Sequence, residues 1–295
     1  AKKQAGKQFR IYEIPAFLPK NILKNKILGF DSDMFTKLQL NYFFGNNLSL
    51  KPIKKNLIDK IFNFKSSKKK EFYSIPNFAS GKSHLSKISE VSKVIKRNKS
   101  DYLYISAPEN VAWLLNIRGS DVPFSPLPNC NCIITRDKKV YLIVERNRVN
   151  KLISEKKLKE NQIIEPKKLN DFLYSLSGRK FIIDSKTCSV FKEKLVSKKF
   201  DIKSYSDPCY LLKALKNSVE INNMVKSHVE DGVALTKFLY WIKNKKPKNL
   251  TEIKAEKKLE SFRKKNKNYL YPSFNTIAGT GSNGAIIHYR ASKKS

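Results

Sequence analysis

The sequence predicts an α/β unit followed by an α+β segment, on three observations. Between residues 83 and 208, strand-like and helix-like runs alternate, the pattern of a mixed sheet covered by helices. From Leu211 to about Ile242 apolar residues recur at helical spacing, and a second helical stretch follows Thr251. Near the C-terminal end, YPSFNTIAGTGSNGAIIHYR (Tyr271 to Arg290) reads as two extended runs around a glycine-rich connection. Hydrophobic residues at 40% and aromatics at 11% of 295 residues supply enough apolar surface for real cores, which excludes a disordered chain.

Residues 1–64 read as the closing part of a domain. Lys26 to Asp31 is a strand running into a turn, and Met34 to Phe44 is helical with an apolar face at Met34, Leu38 and Phe43. Leu48 to Ile53 forms another short strand, and Asn56 to Phe62 a helical turn. Residues 65–82, lysine- and serine-bearing with no periodicity, read as a linker. The chain opens on Ala1 rather than Met, so sequence is expected upstream.

The α/β unit spans 83–208. Leu85, Ile88, Val91 and Val94-Ile95 mark a helix, Asp101 to Ser106 a strand, and Pro108 the first turn of a helix through Trp113 to Ile117. Cys132 to Thr135 and Val140 to Val144 make a hairpin around Asp137-Lys-Lys. Helical patterns near 146–158, 167–176 and 190–196 flank the strands at Phe181 to Asp184 and Ile202 to Tyr205. In the turn after Ile117, Arg118 and Asp121 read as a local ion pair worth at most about 1 kcal/mol.

Asp207-Pro-Cys marks a boundary, and residues 209–295 form the last unit. Its helix is either continuous from Leu211 or broken near Asn217, with Ile221, Met224, Val225, His228, Val229 and Val233 as the buried stripe. His228 and Asp231, on adjacent turns, are open to a metal pair or to ordinary hydrogen bonding. Thr251 caps a second helix carrying Glu252 and Glu256. GTGSNG formally matches a phosphate loop, but such a loop must open a helix. Ala285 to Tyr289 is instead a strand pattern, so the glycines serve a backbone turn.

The net charge of +35 is mostly lysine spread along the chain. Sequence readers of nucleic acid need arginine forks in a concentrated patch, so no specific nucleic acid is expected as a partner. No apolar run reaches the roughly 18–20 residues of a membrane span. Cys130 and Cys132 are placed on one face of a strand. Neither they nor Cys188 and Cys209 show paired metal spacing, which fits reduced thiols in a cytoplasmic protein.

Four blocks in order carry a resemblance: NVAWLLNIRGSDVPFSPL, LLKALKNSVEINNMVKSHVEDGVALTKFLYWI, LTEIKAEKKLESFRKK and SFNTIAGTGSNGAIIHY. Together they resemble the Xaa-Pro aminopeptidases, creatinase-like pita-bread metallopeptidases, over most of the chain. The resemblance implies a first creatinase-like domain ending near residue 64, a second at 83–208, and the start of a pita-bread domain at 209–295, its sheet beginning at Phe274. It also implies hydrolysis of the bond between an N-terminal residue and a following proline, so peptides with proline second are the expected partners. A homodimer is among the assemblies it allows, and the loop around Arg118 would shape entry to the catalytic cleft.

The family's chemistry uses two divalent ions, usually manganese, which lower the pKa of a bridging water and polarise the scissile carbonyl. Their ligands, two Asp, one His and two Glu, normally follow the HY segment, so no metal ligand is expected in this chain. His288 matches the family's pocket histidine, expected to contact substrate and steady the developing intermediate. Tyr289 beside it is an expected substrate contact. A lone histidine beside an apolar run is otherwise more often structural. The alternative reading is a non-catalytic creatinase-like protein that binds a peptide or partner.

Overall fold

A computed structural model describes residues 6–13, 18–23, 25–45, 48–62, 70–245 and 249–292. In the leading region β1 (Ile27–Phe30) and β2 (Ser49–Pro52) pair in parallel across α1 (Lys37–Phe44). Thr36 caps α1, accepting from Gln39 N while the Gln39 side chain accepts from Thr36 N, a reciprocal box that fixes where the helix begins. That start leaves Met34 outside the helix. Met34 and Leu38 are exposed and Leu40 is the buried residue, so the expected Met34, Leu38 and Phe43 face is not the one that packs. A short helix α2 (Leu57–Ile61) follows.

The central unit is a six-stranded mixed sheet in the order β10-β9-β4-β6-β7-β8. Its strands are β4 (Tyr102–Ile105), β6 (Asn131–Thr135), β7 (Val140–Ile143), β8 (Ile163–Ile164), β9 (Lys180–Ile183) and β10 (Asp201–Ser204). A separate antiparallel pair joins β3 (Tyr73–Ser74) to β5 (Ile117–Arg118). In the sheet, β4, β9 and β10 run parallel, and β6 and β7 form the expected hairpin. Successive side chains point to opposite faces, so each strand feeds two cores.

On one face Leu103, Ile105, Cys132, Ile134 and Ile182 meet α4 (His84–Arg97) and α5 (Pro108–Leu115) through Ile88, Val91, Val111 and Leu114. On the other, Tyr102, Tyr104, Ile133, Phe181 and Ile183 meet α7 (Leu169–Ser175) and α8 (Val190–Ser197) through Leu173 and Val196. Two further helices are short: α3 (Asn77–Ser80) and α6 (Asn150–Ser154). Cys130 and Cys132 share the first core, on one face as the spacing implies. Burial raises the pKa of all four thiols, Cys188 to about 12.

The stretch 65–82 expected to link the first two units contains residues that pack into the α/β unit. Residues 63–69 lie outside the described residues, while Phe72 is fully buried and Tyr73 pairs with Arg118. Phe72 belongs to no periodic apolar pattern, yet it plugs the core.

The third unit opens with α9 (Cys209–Ala214), then breaks before α10 (Ser218–Lys245), the second of the two readings of this helix. Asn217 causes the break: its Oδ1 accepts from Glu220 N at 3.0 Å, and Glu220 Oε2 accepts from Asn217 N at 2.9 Å. Its Nδ2 donates to Ser80 O at 2.9 Å, so the helix start is tied to α3. Gly81 turns the chain there at φ +66°, and a Cβ at that position would lie 2.2 Å from Asn217 Oδ1. The expected buried stripe is open: Ile221, Met224, Val225, Val229 and Val233 are all exposed. Periodicity identifies the apolar face of a helix but not what covers it, and α10 packs chiefly on α3 and on α11 (Glu252–Arg263).

The two extended runs expected near the C-terminal end are not strands. Gly281–Ala285 is a 3₁₀ turn, and among the described residues no strand pairs with 271–292. A strand needs a hydrogen-bonded neighbour, and none lies beside Phe274 or Ile287, both exposed. Among the described residues no helix is long and apolar enough to cross a membrane.

Candidate functional site

The glycine-rich loop is organised by Glu252, the first residue of α11, which is buried at 7% exposure. Its carboxylate accepts from Thr280 N at 2.7 Å, from Asn283 Nδ2 at 3.2 Å and from the Tyr289 hydroxyl at 2.6 Å. Asn283 Nδ2 also donates to the Tyr289 oxygen at 3.0 Å. A carboxylate at a helix N-terminus suits the dipole, and hydrogen bonds to a charged acceptor contribute about 1.5–3 kcal/mol each. Tyr289 is therefore aimed at Glu252. His288, next to it, is exposed and left-handed at φ +55°.

Glu252→Ala is expected to free this loop. Amide exchange of Thr280 should accelerate at least about tenfold, read by hydrogen exchange over residues 279–289. Unchanged exchange would show that these bonds do not hold the loop.

Two adjoining clefts separate the α/β unit from α10. The larger, about 1130 Å³, is walled by Trp113, Leu127, Leu215, Ile221 and Met224 and carries Lys87, Arg118 and Glu220. The smaller, about 770 Å³, lies between α10 and α11, with Phe124, His228, Arg263 and Tyr271 on its walls. Pro126 and Ser227 line both. His288 lines neither.

Lys87 is 1% exposed and donates to Trp113 O at 3.0 Å and Asn116 Oδ1 at 2.7 Å, its charge 4.5 Å above the Trp113 ring. Burial is the main force pushing its pKa down to about 8; Glu220 opposes the shift, while Arg118 adds to it. Asn116, itself buried, ends α5 in the left-handed conformation and donates to Ser80 Oγ and Lys82 O.

The expected ion pair between Arg118 and Asp121 does not form. Arg118 Nη1 donates to Ala112 O at 3.1 Å and Ile117 O at 2.9 Å, because pairing of β5 with β3 sets the residue beside Tyr73. Asp121 instead meets Arg148, Nη2 to Oδ1 at 2.5 Å, and accepts from Asn129 N at 2.7 Å. Arg148 lies 27 positions away, outside the reach of any local spacing rule.

His228 and Asp231 resolve toward ordinary hydrogen bonding. Arg263 grips Asp231 with two bonds, 2.6 and 3.0 Å, and holds its carboxyl below the usual range. His228 Nδ1 lies 2.9 Å from Met224 O. Asp184 accepts from the backbone of Lys186 and Asp207, and Glu220 caps α10. Among the described residues no three metal-ligating side chains are gathered. These carboxylates, each engaged by protein donors, do not fit a two-metal centre.

Glu252 and Lys87 are the site residues that the sequence reading passed over. Glu252 stood out only as an acidic residue after a cap, and Lys87 is one lysine among many. The bonds that single them out come from residues 26 or more positions away.

This architecture, a two-faced mixed sheet followed by a long helix and a glycine-rich loop, is the creatinase type of α/β unit running into the start of an M24 domain. The chain belongs to the creatinase/prolidase N-terminal domain family, matched over residues 64–220, and residues 222–295 match metallopeptidase family M24. It is 31% identical to Xaa-Pro aminopeptidase 1 of Dictyostelium discoideum, covering 94% of this chain and 47% of that protein. It is 30% identical to Xaa-Pro aminopeptidase ApepP of Drosophila melanogaster, covering 95% and 48%. Its fold is similar to that of X-prolyl aminopeptidase from Caenorhabditis elegans, described as a cytosolic enzyme with a di-nuclear active site. That match has a TM-score of 0.76 at 21% identity, over 91% of this chain and 46% of the other. The chain spans about half the length of these relatives.

Proposed function

We propose that this chain is part of a metal-dependent aminopeptidase that releases an N-terminal residue from peptides with proline in second position. The observation that carries this reading is identity of about 30% with Xaa-Pro aminopeptidases through 94% of the chain, across both family segments. In this reading residues 1–64 close a first creatinase-like domain and 83–208 form the second, joined through the stretch ahead of Phe72. Residues 209–295 begin the catalytic domain, and the complete enzyme holds two divalent ions, manganese by preference, on residues outside this chain. The C. elegans neighbour's description supports both the paired metals and a cytosolic location. A homodimer is among the assemblies this reading allows.

The residues on hand serve as walls and gate. The clefts beside α10 receive the peptide, Glu252 fixes the loop, and His288 at its tip meets the substrate once the loop closes over it. Tyr289, held by Glu252, limits where that histidine can reach.

The test is a manganese-dependent assay of the full-length gene product on Ala-Pro-Ala. Release of alanine is expected, and no release rejects the peptidase in favour of a non-catalytic binder. His288→Ala in that enzyme should lower kcat/KM by on the order of 100-fold with metal content intact. Unchanged kinetics would remove the role given to His288.

A further inference from the structure

The larger cleft contains an arginine with unused donors. Arg118 spends only Nη1 on the protein, on the carbonyls of Ala112 and Ile117. Among the described residues no carboxylate lies within ion-pair distance of its guanidinium, and no acceptor meets Nε or Nη2. Arg148, more deeply buried at 3% exposure, has Asp121. A half-buried guanidinium keeps its charge and presents a planar fork that matches a carboxylate. Burial lowers the pKa of Arg118, opposed by the phenols of Tyr73 and Tyr271 and by the Glu220 carboxylate, which acts on the charge from beyond ion-pair distance.

The surroundings say what kind of anion would enter. Lys87, Lys213 and Lys216 share the cleft with Arg118, against Glu109 and Glu220. Glu109 is engaged by the Tyr210 hydroxyl and Glu220 by Asn217 N. Lys87 and Lys213 are likewise engaged, by Asn116 and Asn110, so the field is positive but the free fork belongs to Arg118. The walls are apolar, and about 1130 Å³ is far larger than a bare carboxylate requires.

We propose that Arg118 anchors the C-terminal carboxylate of a short peptide lying in this cleft. The inference rests on the peptidase reading for the nature of its ligand, but it is tested by binding alone. The 295-residue chain is titrated calorimetrically at pH 7 and 150 mM salt with Ala-Pro-Ala, with its C-terminal amide, and with sodium acetate. The free acid should bind at least about tenfold more tightly than the amide. Because a net charge of +35 favours any anion, the decisive comparison is the variant.

Arg118→Met should bring the ratio of acid to amide close to one while leaving the affinity for the amide unchanged. Arg118→Lys, which keeps the charge but loses the fork, should retain part of the preference and guards against misfolding of the methionine variant. The proposal is overturned if a folded Arg118→Met keeps the full preference, or if wild type binds neither peptide or does not distinguish them. Acetate binding as tightly as the tripeptide acid would mean a bare anion site and would overturn it too. Metal-dependent hydrolysis by the full-length product judges the peptidase reading separately, so the two failures are told apart.

Discussion

Arg148→Met is expected to destabilise the chain by about 3 kcal/mol, because it leaves a carboxylate only 13% exposed without its counter-charge and empties a buried guanidinium site. Arg148 is 3% exposed and its guanidinium performs three tasks at once. It pairs with Asp121 at 2.5 Å, donates from Nε to Lys70 O at 2.8 Å, and stacks 4.5 Å from the Phe72 ring. Its backbone carbonyl accepts from Phe72 N at 2.8 Å. Methionine fills part of the volume but meets none of these polar groups. Asp121 would keep only the Asn129 amide, and the loop from 119 to 129 would lose its fastening. Urea unfolding followed by circular dichroism measures the effect. A loss below about 1 kcal/mol would mean that water reaches Asp121 and the pair contributes as a surface pair does. Asp121→Asn should cost less than Arg148→Met, since the amide still accepts from Arg148.

Phe181→Ala should lower stability by a similar amount, about 3–5 kcal/mol, through a cavity rather than a charge. Phe181 is fully buried on β9, between β4 and β10. Its ring stacks on Tyr102 at 4.8 Å and meets Phe200 edge-on at 5.0 Å, and Tyr102 and Phe200 are themselves 5.6 Å apart. Removing one ring strips the other two of a partner in the middle of a rigid sheet, where collapse is difficult. Phe181→Leu should cost roughly half as much. A loss near 1 kcal/mol for alanine would show that α8 slides inward to fill the space, visible as a changed near-ultraviolet spectrum from the tyrosines.

The α/β unit was legible because its signals are local. Alternation within Tyr102 to Ile105 places two residues in each core, and the hairpin turn at Asp137-Lys138 announces itself between two β-prone runs. The break near Asn217 was legible as an alternative, since an asparagine three residues before a glutamate is itself a capping pattern. The stripe on α10 was legible as apolar but not as exposed. The site was harder to read. Arg118 and Asp121 stand three apart and invite pairing, yet Asp121 is claimed by Arg148 while Arg118 turns to the carbonyls of Ala112 and Ile117, and Glu252 gathers donors from positions 280 to 289. His288 drew attention through family likeness rather than through anything in its spacing.

Gly81 sits against the start of α10, with room for a hydrogen but not a methyl group. Both clefts have α10 as a shared wall, tied to α3 at its start by Asn217 and again where Asn223 Nδ2 donates to Phe78 O at 3.1 Å. One end of that wall is thus seated by the absence of a single carbon atom, much as a door sits by the thickness of its hinge leaf. A side chain there would push against Asn217 and Val219, moving the first turn of the helix away from α3 and with it the near end of the larger chamber.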